Sequence, residues 1–300
     1  MKIKILLTGS SGFLGKYILN FLENENYEVI KVGRSLTSDI NIDLSLNKLS
    51  KIDVDYVIHA AGKAHVVPKS KEDKKDFFRV NYIGTNNLLS GLDTSKLKSI
   101  IFISTVAVYG KEVGELIDEK CPLLGKTPYA KSKILAEQSI IDFGITNNIK
   151  TVVLRLPLVT GKNPLGNLSS MIKAVKKGYY FRIGKGQAKK SIISAFDVAN
   201  LIPELFDLNG VYNLTDVTHP MISEIDSIIA AKLNKKIKSI PICLINIIAK
   251  IGDIFYFSPF NSAKFEKLTQ NLTFSSKKLF NDIKYRPNRG LYDIVKYLNN

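Results

Sequence analysis

Three hundred residues, 45% of them hydrophobic, suffice for a sizeable core but not for several domains, so one large or two intimate domains are expected. The formal net charge of +16 would suit nucleic acid, but only six of the 43 basic residues are arginine, the better base and phosphate reader. Lysines scattered through such a chain point instead to an anionic small substrate, and no nucleic-acid partner is expected. Two cysteines, Cys121 and Cys243, are too few for a disulfide framework, and no charged leader with a long apolar run precedes the first apolar stretch; the expected location is cytoplasmic.

Residues 3–7 form an apolar, strand-like run that leads directly into Thr8-Gly9-Ser10-Ser11-Gly12-Phe13-Leu14-Gly15. The first glycine permits a tight strand-to-helix turn, the second lets backbone amides approach an anion, and the third lets helix and strand pack closely. The following helical pattern, 13–23, presents its positive end to that anion, as a dinucleotide pyrophosphate requires. Further β-branched runs at 28–32, 56–59, 99–104 and 151–156 alternate with helical patterns at 74–92, 129–145 and 168–177. Such alternation predicts an α/β fold with a doubly wound parallel sheet, its strands covered on both faces by crossover helices.

Beyond about residue 160 the rhythm breaks at Gly161, Pro164, Gly166, Gly184 and Gly186. Residues 1–160 are therefore read as a dinucleotide-binding domain and 161–300 as a smaller lobe, with 195–214 returning to the first. Residues 239–257 are strongly apolar but interrupted by Pro241, Lys250 and Asp253, too short a span for a bilayer. A buried helix is expected there; a weak peripheral membrane contact, aided by Lys235, Lys236 and Lys238, is the alternative.

Three tyrosines stand four residues before a lysine, but only Tyr129, with Lys133, opens a helix after a proline and downstream of a strand ending in hydroxyls, Ser104 and Thr105. The spacing places both on one helix face. Tyrosine ionises near pH 10, and an ammonium about 5 Å away at an effective dielectric of about 20 favours tyrosinate by roughly 3 kcal/mol, about two pK units. Thr105 is then placed to hydrogen-bond the substrate oxygen whose proton moves. His59 reads as a strand-end packing residue, and no His, Cys, Asp or Glu spacing suggests a metal site.

Together these stretches resemble the extended short-chain dehydrogenase/reductase family acting on nucleotide sugars. The resemblance spans nearly the whole chain. It rests on the glycine motif, Asp43-Leu44, His59-Ala60-Ala61-Gly62, Asn81 with Gly84-Thr85, Ser104-Thr105-x-x-Val108-Tyr109-Gly110, Tyr129-x-x-x-Lys133 and Asn281-x-x-x-Tyr285-x-Pro287. It implies a Rossmann sheet with a C-terminal substrate-binding lobe, and Thr105, Tyr129 and Lys133 as catalytic residues. Gly9, Ser11, Gly12, Phe13, Leu14, Gly15, Asp43, Leu44, Ala60, Ala61, Gly62, Asn81 and Pro157 would surround the cofactor, with Tyr129 and Lys133. Asn167 and Lys190 would meet the diphosphate of a UDP-sugar, Lys190 standing where the family carries arginine. Lys63 and His65, on the loop after the third strand, would lie near the sugar. The family also implies a homodimer through helices 74–92 and 129–145.

Two departures narrow the chemistry. The family's 4,6-dehydratases carry Asp-Glu after the catalytic threonine, whereas Val106-Ala107 stand here. Where an acid would hold the NAD ribose, this chain has Gly33-Arg34-Ser35, and a cation there suits the 2′-phosphate of NADP(H), with NAD(H) the alternative. The expected activity is reduction of a UDP-4-keto-6-deoxy-N-acetylhexosamine for surface polysaccharide synthesis. A UDP-hexose 4-epimerase (UDP-glucose or UDP-GlcNAc) is the alternative, and a non-catalytic dinucleotide sensor a remote one.

Overall fold

The computed structural model describes residues 2–64, 66–254 and 261–298. In chain order the first half comprises β1 (Lys4–Thr8), α1 (Phe13–Asn24), β2 (Glu28–Gly33), β3 (Ile40–Asn41), β4 (Tyr56–His59), α2 (Lys71–Phe78), α3 (Gly84–Leu89), β5 (Ser99–Thr105), β6 (Gly114–Ile117), α4 (Pro128–Asn147) and β7 (Lys150–Leu156). The second half comprises β8 (Leu158–Thr160), α5 (Gly166–Lys177), β9 (Phe181–Ile183), β10 (Ile192–Ser194), α6 (Ala195–Leu205), β11 (Gly210–Asn213), α7 (Ile222–Lys232), β12 (Lys238–Ile240), α8 (Ile242–Ile254), α9 (Ser262–Thr269), β13 (Leu272–Phe274), α10 (Lys277–Asp282) and α11 (Gly290–Tyr297).

Seven strands form one parallel sheet in the order β11-β7-β5-β4-β1-β2-β3. Alternation within β1 serves both faces: Ile5 and Leu7 join Ile18 and Leu22 of α1, while Leu6 joins Leu88, Ala136 and Ile140 on the α3–α4 side. The chain winds outward from β1 to β3, then returns to place β4 on the other side of β1. This reversal opens a crevice beyond the carboxyl ends of β1 and β4, where ligands of open α/β sheets bind.

Beyond the sheet, Leu168, Val175, Ile192, Ile225, Ile229 and Ile294 form a separate small core. Strand β11 extends the main sheet beyond β7, and α6 packs on α1. None of the described helices is long and apolar enough to cross a membrane. Helix α8 corrects the expectation of a buried helix. Ala249 and Gly252 are buried, but Leu244, Ile247, Ile248 and Ile251 are each about half exposed. Apolar composition does not by itself mean burial: among the described residues, none covers this side of the helix.

Candidate active site

The turn after β1 can be made only by glycine at two of its positions. Gly9 has φ +73°, and a Cβ there would lie 2.6 Å from the Ala61 amide nitrogen; a Cβ on Gly15 would lie 1.9 Å from the Gly9 carbonyl oxygen. Gly12 is the N-cap of α1 and no side chain caps that helix, so its first-turn amides remain for an anion. Ser11 is exposed on this turn, while Phe13 and Leu14 open α1. Such a cradle fits a dinucleotide.

Beneath the turn lies a hydrogen-bond relay that periodicity does not reveal. The hydroxyl of Thr85 donates to the Asn81 carbonyl at 2.6 Å, so it accepts from His59 Nε2, 2.9 Å away. His59 Nδ1 therefore accepts from the Thr8 hydroxyl at 2.6 Å, and Thr8 Oγ1 in turn accepts from the Ala61 amide at 3.1 Å. Burial, then the Lys133 charge, pushes the His59 pKa down to about 3, so the ring is neutral, as the relay requires. His59 is thus more than packing: it ties β1, β4 and the α3 helix to the loop that carries Ala60, Ala61 and Gly62.

Between α2 and α3, residues Arg79–Ile83 form a π turn. Such a turn admits one extra residue and redirects the side chains within it. Asn81, inside it, is fully used: Oδ1 accepts from the Lys63 amide at 2.7 Å, and Nδ2 donates to the Lys63 carbonyl at 3.1 Å and to Ser132 Oγ at 2.9 Å. The Asn81 side chain therefore joins the loop after β4 to the first turns of α4. A Cβ on Gly62 would lie 3.2 Å from Asn81 Oδ1 and 3.4 Å from Lys133 Nζ. A side chain at residue 62 would press on both groups.

Thr127 caps α4 by accepting from the Ala130 amide at 3.1 Å, with Pro128 in the first turn. The cap starts the helix immediately before Tyr129. Thr105 ends β5, and its hydroxyl lies near enough to Tyr129 to work against the rise in the phenol's pKa. Lys133 follows one turn later, buried, donating to the Ile103 carbonyl at 2.8 Å and standing 4.3 Å above the Phe102 ring centre. All three expected catalytic side chains therefore converge at the carboxyl end of β5. Their electrostatics differ from the expectation: burial raises the Tyr129 pKa, opposed by Thr105, and burial lowers that of Lys133 to about 8, opposed by Glu137. The Lys133 ammonium is not among the groups that shift Tyr129; its Nζ donates instead to the Ile103 carbonyl.

A cavity of about 340 Å³ is lined by Arg34, Asp43, Gly62, Lys63, Asp76 and Arg79 among others. Arg34 reaches to 3.7 Å of Asp43, whose Oδ1 accepts from the Ser45 amide and hydroxyl at 2.9 and 2.7 Å. Leu44 is buried against α3, and its carbonyl accepts from Asn87. Ser35 is turned aside into a local bond with Thr37. Residues 5–214 match the NAD dependent epimerase/dehydratase family.

The chain belongs to that family. It is 27% identical over 264 residues to a UDP-glucose 4-epimerase of Vibrio cholerae, covering 81% of this chain and 79% of that one. It is 30% identical over 209 residues to a GDP-6-deoxy-D-talose 4-dehydrogenase of Aggregatibacter actinomycetemcomitans, covering 68% and 70%. The matched curated relatives are covered over 50% to 79% of their own length. A Thermus thermophilus UDP-glucose 4-epimerase solved with NAD has the same fold, with a TM-score of 0.71, 21% identity and 99% coverage of both chains. The protein is an enzyme of the short-chain dehydrogenase/reductase type that uses an NAD(P)-type cofactor.

Lys63, expected beside the sugar, lines the cavity with Arg34 and pairs with Asp76 at 2.9 Å. Lys190, expected to meet a diphosphate, donates its ammonium to the carbonyls of Lys267 and Gln270, both at 2.9 Å, at the end of α9. Those carbonyls occupy the charge that the family's arginine would offer. Asn167 is exposed in the first turn of α5, a helix that also lacks a side-chain cap, and Pro157 joins β7 to β8. His65 lies outside the described residues.

Two ion pairs were not foreseen from the sequence. Glu137 and Arg155 form a buried ion pair at 2.6 Å; Glu137 also accepts from the Ser104 hydroxyl, and Arg155 donates to Tyr109 Oη at 3.0 Å. A charge inside the apolar run 151–156, and an acid four residues beyond Lys133, were the available signals. Arg79 and Asp76 of the cavity wall carried no signal, because an ion pair on a polar helix resembles any solvated surface.

Proposed function

We propose that this enzyme reduces the 4-keto group of a nucleotide sugar, with a UDP-4-keto-6-deoxy-N-acetylhexosamine as the preferred substrate and NADPH as the preferred cofactor. The Thr105–Tyr129–Lys133 cluster supports hydride chemistry at C4 with Tyr129 as the neutral phenol, and the observation that favours a reductase is the pair Arg34 and Arg79 on the cavity wall, which suits the 2′-phosphate of NADPH. A reductase needs a proton donor at the C4 oxygen, and a tyrosine whose pKa is raised by burial keeps its proton at neutral pH.

When bound, the reduced nicotinamide supplies the hydride. Tyr129 Oη delivers its proton to the oxygen on C4 as the carbonyl becomes a hydroxyl. Thr105, beside Tyr129, would orient that oxygen. Lys133, its ammonium oriented by the Ile103 carbonyl, would hold the nicotinamide ribose and favour proton loss from Tyr129. The turn at Gly9, Gly12 and Gly15 would receive the pyrophosphate. Arg34 and Arg79 on the cavity wall would receive the 2′-phosphate of NADP(H), with Asp43 and Leu44 at the adenine. The uncapped start of α5, with Asn167, would receive the UDP diphosphate.

The reading includes a two-lobed division at about residue 160, with 195–214 belonging to the first lobe, and a cytoplasmic location. It also includes a homodimer through α2–α3 and α4, whose surfaces expose Ile83 and Leu135. The 4-epimerase alternative is favoured by the names of the relatives, and epimerisation would use the same three residues. Incubation with NADPH and the 4-keto sugar decides between them: stoichiometric NADPH oxidation is expected. Interconversion of UDP-glucose with UDP-galactose, or UDP-GlcNAc with UDP-GalNAc, without net cofactor oxidation would establish the epimerase. Cofactor binding with no turnover would establish a sensor.

A further inference from the structure

Helix α8 divides into three faces at 100° per residue. Ile245, Ala249 and Gly252 turn inward; Asn246, Lys250 and Asp253 share a polar side; Leu244, Ile247, Ile248 and Ile251 fall on one exposed arc about 100° wide. The apolar surface continues off the helix. Strand β12, which leads into α8, pairs Lys238 with Phe181 of β9, itself 47% exposed, and Gly184 sits against Ile242.

Along residues 234–254 the charge is one-sided. Lys235, Lys236 and Lys238 are exposed just before α8, and among the described residues none of them pairs with an acid. Residues 234–254 contain one carboxylate, Asp253, and it is used within the fold: it accepts from the Ser262 amide at 3.0 Å and from the Ser262 hydroxyl at 2.5 Å, tying α8 to α9. An apolar arc bordered by unpaired lysines, with its acid withdrawn, complements a surface that is apolar below and anionic above. That is the interface of a bilayer containing acidic phospholipid.

We infer that α8 docks the protein on anionic membranes, laying Leu244, Ile247, Ile248 and Ile251 into the headgroup boundary with Lys235, Lys236 and Lys238 against lipid phosphates. A second copy of the chain fits less well. An isologous contact through this face would bring the two lysine groups toward each other with no acid to separate them. The inference stands on α8 and its lysines, independent of the proposed reduction, so a failed enzymatic assay leaves it untouched.

Flotation of the full chain with vesicles tests it. Binding is expected to vesicles of equal parts phosphatidylglycerol and phosphatidylcholine, weakening as salt rises, and little or none to phosphatidylcholine alone. The double variant Ile247→Ser, Ile251→Ser changes only exposed side chains. It should fall about tenfold in vesicle affinity while keeping the parent's melting temperature and circular dichroism. Lys235→Gln, Lys236→Gln, Lys238→Gln should abolish the preference for the acidic lipid. Failure of the parent to float with the mixed vesicles would overturn the inference, as would unchanged binding by the Ile variant. A parent dimer that the Ile variant converts to monomer would assign the face to a second copy instead.

Discussion

Two regions of this molecule bury many polar groups, and they do so in opposite ways. At the carboxyl ends of β1, β4 and β5, donors and acceptors alternate: Thr8, His59, Thr85 and Asn81 form one chain, and Glu137 lies against Arg155. Around Asp216, where β11 and α6 meet α11, three buried acids are gathered: Asp197, Asp216 and Asp293. Asp197 accepts from Tyr285 Oη and the Arg289 amide, and Asp216 from the Gly290 amide, but Asp216 Oδ1 and Asp293 Oδ1 have no hydrogen-bond partner among the described residues. Burial, with help from the neighbouring acids, pushes the Asp216 pKa up to about 7. The first region solves desolvation by pairing, which fixes geometry. At Asp216 the second solves it by retaining a proton, which makes its stability sensitive to pH.

The largest expected effect breaks the first region's chemistry and leaves its architecture intact. Tyr129→Phe removes the phenolic proton and little volume. Turnover should fall about a thousandfold while cofactor affinity stays within about twofold. Steady-state rates and a cofactor titration check both halves. Activity within a few fold of the parent would remove Tyr129 from the reaction.

Next comes the ion pair. Glu137→Ala leaves the Arg155 guanidinium buried without its partner and should destabilise the fold by about 3–5 kcal/mol, read as a lowered urea midpoint. The double variant Glu137→Met, Arg155→Met should recover most of that loss, because no uncompensated charge remains. A single variant as stable as the parent would mean that the pair is not desolvated.

How legible these regions were in the sequence follows from the same distinction. The glycine turn, the parallel strands and the Thr105, Tyr129 and Lys133 hydroxyl and ammonium groups are set by local patterns: a strand run, a cap and a helical spacing. The partners of buried charges are not local. Glu137 finds Arg155 only because α4 packs across β5 and β7, and His59 finds Thr85 only because a π turn, without a spacing signal of its own, realigns the helix around Asn81. Lys190 carries the charge its position suggested, yet two carbonyls of a segment some eighty residues later take it up. Apolar content misled at α8 because hydropathy records a preference for leaving water and does not say whether protein is there to receive it.

The pH dependence sharpens the comparison, since the two regions should respond in opposite directions. In the folded chain Asp216 keeps its proton up to about pH 7, whereas an ordinary carboxyl loses it near 3.8. Between these values the folded state binds more protons, so this residue lowers stability as pH rises, by at most about 1.4 kcal/mol per pH unit. Asp216→Asn should therefore raise the melting temperature above pH 7 and give little gain near pH 4. His59 has the reverse sign. It resists protonation down to about 3 against an ordinary 6.5, so the unfolded chain binds more protons in that window and stability falls as pH drops. His59→Gln should flatten that acid-side loss. Melting curves from pH 4 to pH 8 on both variants check the two slopes; matching slopes would dissolve the distinction.

The smallest effect is expected outside both buried regions, on the open wall of the cavity. Arg34 and Arg79 are exposed, Arg34 the more so, and each already has an acid nearby, Asp43 and Asp76. Water and those carboxylates temper their attraction for a phosphate, so each contributes less than a buried pair would. Arg79→Ala should weaken NADPH binding about tenfold, the scale of one charged hydrogen bond, and leave NADH binding unchanged. Arg34→Asp goes further in the same direction, because it adds a carboxylate that repels the 2′-phosphate and can accept from a 2′-hydroxyl, and it should turn the preference toward NADH. Dissociation constants for both cofactors on parent and variants settle the matter. If the parent already prefers NADH, or if Arg79→Ala weakens both cofactors equally, these arginines serve the surface and not the phosphate, and the preference for NADPH falls with them.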